Sequence, residues 1–240
     1  MALAPKRLTS TFRPTSATGG NHHKQILAQN TRQGGSEAHQ HIGPKPRSPS
    51  LAAPLKANRA SQQHGQQQTQ RQREDIFETE PLFSLVVPLY KTKPQYLREM
   101  IDSVTAQTYG NWELCMALAA SGEEDAALIS ILEEYAGRDA RICYQVLPEN
   151  GGIAENTNAA LAMASGDYLV PVDHDDLVPE NALYEFASAI RRDDAIDMLY
   201  SDEDKVSMDG RHFFEPHFKP DFNIDLLCTV NYICHLFVVK

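Results

Sequence analysis

The chain is 240 residues long with a formal net charge of −10, but the charge is divided unevenly: residues 1–73 carry 11 Lys and Arg against the single acid Glu37, and residues 74–240 carry 11 bases against 31 acids. The first segment is crowded with Gln, Ser, Pro and His and has too little aromatic and branched surface to offset the entropy of ordering a backbone, so residues 1–75 are expected to be a disordered, basic, low-complexity tail. No apolar run approaches the roughly 20 residues that cross a bilayer, no secretion-type apolar core is present, and the acidic body implies no nucleic-acid partner.

From residue 76 onward the pattern becomes regular. The run Leu82–Leu89 is short, continuous and rich in β-branched residues, as expected of a strand covered on both faces. A helix is predicted to open near Pro94 and to bury Leu97, Ile101 and Val104. Trp112–Leu118 reads as a second strand, 124–136 as a helix burying Leu128, Ile131, Leu132 and Tyr135, and Arg141–Leu147 as a third strand. A helix over 153–164, a strand over Tyr168–Val172, a helix from Pro179 burying Leu183, Phe186 and Ile190, and a strand over Ile196–Tyr200 complete the alternation. Strands and helices in strict succession predict an α/β fold with a mostly parallel sheet and helices on its faces. Cys115, Cys143, Cys228 and Cys234 have irregular spacings that suit buried free thiols in a reducing compartment better than zinc ligation or disulfides.

In such sheets ligands bind beyond the carboxyl ends of the strands. The loop after the fourth strand, Asp173-His174-Asp175-Asp176, puts three carboxylates within four residues. They repel one another unless a cation or a proton relieves the charge, and hard Mg²⁺ or Mn²⁺ held by Asp173, Asp175 and Asp176 would do so while bridging a diphosphate. The alternative is that these acids only end a strand and favour the N-terminus of the helix that follows. Asn150-Gly151-Gly152 precedes a helix, where glycine lets backbone amides approach a phosphate, although an ordinary turn would read the same way. A second acidic loop, Asp202-Glu203-Asp204, follows the fifth strand. His174, His217 and His235 match no metal template and are expected to be structural.

Read in order, the blocks VVPLY at 86–90, QTYGNWEL at 107–114, NGGIAENTNAAL at 150–161, GDYLVPVDHDD at 166–176, YSDEDK at 200–205, FKPDF at 218–222 and NYICHLFVVK at 231–240 resemble the family 2 glycosyltransferases of GT-A fold, especially bacterial rhamnosyltransferase-like and O-antigen-type members. The resemblance implies a nucleotide-sugar donor, a divalent cation, and transfer with inversion onto a glycan or lipid-linked acceptor. It places Pro88 and Tyr90 in the nucleotide pocket, Asn150 and Gly152 beside it, Asp173 and Asp175 on ribose and metal-diphosphate, Asp176 as an extension of the metal motif, and Asp202, Glu203 and Asp204 near the sugar or acceptor. Two departures accompany it. Leu118 stands where the family carries an Asp for the nucleobase, which shifts that task to backbone groups or to Glu123, Glu124 or Asp125. The family's general base lies beyond the block ending near Lys240, so the catalytic residue is unassigned, with Asp202, Glu203 and Asp204 as local substitutes. A chain ending on the apolar run Leu236–Val239 is expected to be a domain truncated at its C-terminus, with later sheet neighbours missing. A non-catalytic nucleotide-sugar-binding module and an acidic cation- or partner-binding domain are the alternative readings. The expected location is cytoplasmic, with peripheral contact at the inner face of the membrane through the basic tail.

Overall fold

A computed structural model describes residues 7–9, 15–17, 65–77, 80–120, 122, 125–207 and 212–240. Most of the expected tail lies outside these residues. Within them the chain runs through β1 (Arg7–Thr9), β2 (Thr15–Ala17) and a helix α1 over residues 65–74, then β3 (Phe83–Leu89), α2 (Pro94–Thr105), β4 (Trp112–Ala119), α3 (Asp125–Ala136), β5 (Ile142–Leu147), α4 (Ile153–Leu161) and β6 (Tyr168–Pro171). The remainder is α5 (Ala182–Arg192), β7 (Met198–Tyr200), β8 (Glu203–Val206), β9 (Phe213–His217), α6 (Ile224–Thr229) and β10 (Phe237–Val239). Among the described residues no helix is long and apolar enough to cross a membrane.

The expected mostly parallel sheet flanked by helices is present. One sheet has the order β2-β7-β10-β6-β3-β4-β5, and a smaller one the order β1-β8-β9. β3 lies between β4 and β6 and is parallel to both, with Phe83 opposite Trp112 and Tyr168. Its continuous apolar run follows from that central position, because one face packs on the large core and Val86 on the other joins Ala117 and Ala160 under α4. The opposite face receives α2 and α5, whose apolar stripes recur every three or four residues: Leu97, Met100, Ile101 and Val104 on α2, and Leu183, Phe186 and Ile190 on α5, are all buried. Each such side chain contributes roughly 1.5–3 kcal/mol by leaving water.

Several features differ from the sequence reading: α4 ends at Leu161 rather than at 164, β7 covers only Met198–Tyr200, and Tyr135 on α3 is half-buried. α5 begins three residues after Pro179, because residues 179–181 form a turn in which the Ala182 amide bonds to the Pro179 carbonyl at 2.9 Å. α1, which composition groups with the tail, is docked: Arg73 donates to the Ala106 carbonyl at 2.8 Å, and Thr108 donates to Gln72 at 3.1 Å. Just beyond it Phe77 is buried edge-on against Tyr109 and Tyr184. Of the four cysteines, all free, Cys115 is buried and Cys143 half-buried, whereas Cys228 and Cys234 are exposed. The last strand, β10, is paired on both sides, antiparallel to β6 and to β7.

Candidate active site

Strand direction decides which loops meet. β3, β4, β5 and β6 are mutually parallel, so their carboxyl ends share one edge of the sheet. β10 is antiparallel to both β6 and β7, so β7 also ends at that edge while β10 begins there. The register is informative: Val239 lies opposite Leu169, and continuing the pairing outward brings His235 opposite Asp173. In the structure the His235 Nε2 is 3.3 Å from the Asp173 Oδ2.

Asp173, Asp176 and His235 each offer a ligand atom within 4.8 Å of the others, forming a group that could hold a metal ion. The Asp176 amide bonds back to the Asp173 carbonyl at 3.2 Å, a turn that brings both carboxylates to one side, with Asp176 buried and Asp173 half-exposed. Hydrogen bonding to His235 holds the Asp173 carboxyl below the usual range against the opposing effect of burial, with the charges of His235 and His174 assisting. The same bond raises His235 against burial, and Asp176 and Glu203 add negative field. Asp175 stands apart from this group, its Oδ1 3.8 Å from the His174 Nδ1. By distance, then, two of the three expected carboxylates are grouped with a histidine for which the sequence suggested only a structural role. The one available signal was its place just before the last apolar run, and that signal has meaning only once the strand is known to be antiparallel.

The second acidic run faces inward, and its Glu203 and Asp204 open β8 rather than lying in a loop. Asp202, Glu203 and Asp204 are all buried. Asp202 accepts the Lys219 amide at 2.7 Å, and Glu203 accepts from His217 at 3.0 Å and from the His235 amide at 3.1 Å. Burial alone would raise Glu203, but the His217 bond and the Lys219 charge outweigh it and hold the carboxyl low. A small hollow is lined by Val172, Asp176, Val178, Glu203 and His235.

On the other flank, Pro88 is the penultimate residue of β3 and half-buried Tyr90 follows the strand's end at Leu89, with Lys91 in the left-handed region at φ 51° and its ammonium 5.2 Å from the centre of the Tyr90 ring. The Asn150-Gly151-Gly152 loop is shaped from below by Asn156, which is 2% exposed. Its amide donates to the Asn150 Oδ1 at 2.8 Å, that oxygen also accepts the Gly152 amide at 3.0 Å, and Gly152 has φ 89°, a conformation that suits glycine. Asn156 thus supports the loop rather than lining a polar surface. Leu118 is fully buried in the core, and Asp125 accepts the Gly122 amide at 3.0 Å; Glu123 and Glu124 lie outside the described residues.

Comparison with known proteins gives one family. The family model described as Glycosyl transferase family 2 matches residues 84–236. The O-antigen biosynthesis protein RfbC of Myxococcus xanthus is 36% identical over 160 residues, which is 67% of this chain and 12% of that protein. An uncharacterized protein y4gI of Sinorhizobium fredii is 41% identical over 156 residues, 65% of this chain and 17% of that protein. The chain therefore spans less than a fifth of the length of these two relatives. Among solved structures, a mannosyltransferase from Pyrobaculum calidifontis in complex with GDP-Man and Mn²⁺ superposes with a TM-score of 0.39 at 21% identity, covering 58% of this chain and 42% of that one.

Proposed function

The chain belongs to glycosyl transferase family 2, and on that premise we propose that this domain transfers a sugar, with inversion, from a nucleotide-sugar donor to a glycan or lipid-linked acceptor. The observation that carries the reading is the meeting of Asp173, Asp176 and His235 at the carboxyl edge of the sheet, within 4.8 Å of one another. Two carboxylates and one imidazole suit a divalent ion of the Mn²⁺ or Mg²⁺ class, the imidazole tilting the choice toward Mn²⁺. A bound cation would neutralise charge on the departing nucleoside diphosphate. Asp173, held anionic by His235, keeps its charge at neutral pH. Asp175, two residues beyond Asp173 and outside that group, is assigned to the donor's ribose or diphosphate. Pro88, Tyr90 and the Asn150–Gly152 loop border the same edge on the nucleotide side, where the N-terminus of α4 favours an anion. Asp202 and Glu203 are engaged with Lys219, His217 and the His235 amide, so we leave the acceptor's general base outside them.

Thermal stability measured with UDP-, dTDP- and GDP-sugars, with and without Mn²⁺ or Mg²⁺, tests the proposal. A donor present at a hundred times its Kd stabilises the folded state by about 2.7 kcal/mol. The expected outcome is a metal-dependent stabilisation by one nucleotide class, removed by chelator and by Asp173→Ala, together with sugar transfer or slow donor hydrolysis. Metal-dependent binding without either reaction would favour a non-catalytic binding module, and no response to any nucleotide would end the reading.

A further inference from the structure

Lys219 is 4% exposed, and its ammonium has three acceptors around it: the Glu203 Oε2 at 3.3 Å and the backbone carbonyls of Ile233 and His235. An ammonium carries three N–H donors and no acceptor, so these three partners saturate it. Two of the three belong to the segment that leads into β10. The third, Glu203, also accepts the His235 amide, which means that the main chain at His235 is gripped at its N–H by Glu203 and at its C=O by Lys219. The pair is anchored in turn, because the Lys219 amide donates to Asp202 in the link between β7 and β8.

Burying an ammonium and a carboxylate is costly unless geometry and hydrogen bonds compensate, and an apolar pair of similar volume often serves stability as well. What the charged pair provides here is a fixed backbone at the residue whose imidazole meets Asp173. We propose that Lys219 is a positioning residue for the cation site: through Glu203 and the carbonyls of Ile233 and His235 it fixes the main chain so that the His235 ring is presented to Asp173 and Asp176. This rests on the reading of that group as a metal site. Groups that orient a ligand in this way affect metal affinity by about 10–100-fold.

A double-mutant cycle on Mn²⁺ affinity tests it, using the loss of the free Mn²⁺ electron paramagnetic resonance signal on wild type, His235→Ala, Lys219→Met and the double variant, each first shown to melt cooperatively. If Lys219 acts through His235, Lys219→Met weakens Mn²⁺ binding about tenfold when His235 is present and less than about twofold when it is alanine. Equal losses in both backgrounds, or none in either, overturn the proposal. Should Lys219→Met fail to fold, Glu203→Gln, which keeps an oxygen for the His235 amide and removes the charge facing Lys219, goes through the same cycle with the same two outcomes. A wild-type protein that leaves the Mn²⁺ signal unchanged refutes the cation site itself and this inference with it. Binding that depends on His235 but is indifferent to Lys219 refutes this inference alone.

Discussion

Gly166 occupies the turn that leads into β6, pressed against the start of β3. A Cβ placed there would lie 2.5 Å from the Ser84 Oγ, 2.6 Å from the Leu82 carbonyl and 2.9 Å from the Ser84 amide nitrogen. Two of these atoms are backbone beside the central strand and cannot rotate aside, so Gly166→Ala must push β6 and β3 apart. Such overpacking costs about 1–3 kcal/mol. The displacement also weakens the 2.8 Å bond from the Gly166 amide to the Ser84 Oγ, worth about 1 kcal/mol. The loss of unfolded-state freedom on replacing glycine offsets about 0.4–1 kcal/mol. The net expectation is a destabilisation of about 1–3.5 kcal/mol, or roughly 2–14 °C in Tm for a domain of this size. Urea and thermal unfolding of Gly166→Ala measure it, with Gly110→Ala as control, because a Cβ at Gly110 meets nothing within 4 Å. If the two variants melt within about a degree of each other, the close approach does not exist and the argument fails.

Phe77→Ala should cost about 3–4 kcal/mol in a urea titration, since the ring is buried between Tyr109 and Tyr184; a loss below about 1 kcal/mol would place the start of the ordered domain after residue 80. Asn156→Ala removes the support beneath the Asn150–Gly152 loop and is expected to cost about 1–2 kcal/mol while weakening nucleotide-dependent stabilisation more than that, which parallel melts with and without nucleotide would reveal. Glu113 accepts from the Ser84 hydroxyl at 2.6 Å and from the Ser165 hydroxyl and amide. Burial raises its carboxyl, but these donors outweigh burial and hold it below the usual glutamate range. Its contribution is therefore full above the unfolded value near about pH 4.3 and is lost as pH falls through the lower folded value; Glu113→Gln should be less stable at pH 7 and show a shallower acid decline, and identical slopes for the two proteins would refute the assignment.

How much of this was legible in the residues can be judged element by element. β3 to β6 fall where continuous apolar runs place them, α2 where Pro94 and the three- and four-residue spacing place it, and the aspartate loop at the predicted sheet edge. Weak or mixed patterns were missed. β8 is two acids, a lysine and a valine, and β9 is exposed along its length, so neither shows the alternation that marks a half-buried strand. α1 reads as low complexity because residues 65–74 repeat glutamine and arginine without apolar spacing, and its docking rests on bonds from Gln72 and Arg73 to partners far along the chain.

The site divides in the same way. Apolar periodicity is a local property, fixed by how side chains project from a helix or strand, and it was enough to determine the α/β succession and to put Asp173 and Asp176 beyond a strand end. Strand order and direction depend on which distant segments pack together, and no local pattern records them. Only the tertiary structure could insert β10 antiparallel between β6 and β7, and only that reversal carries His235 to the edge where the parallel strands finish and Asp173 waits.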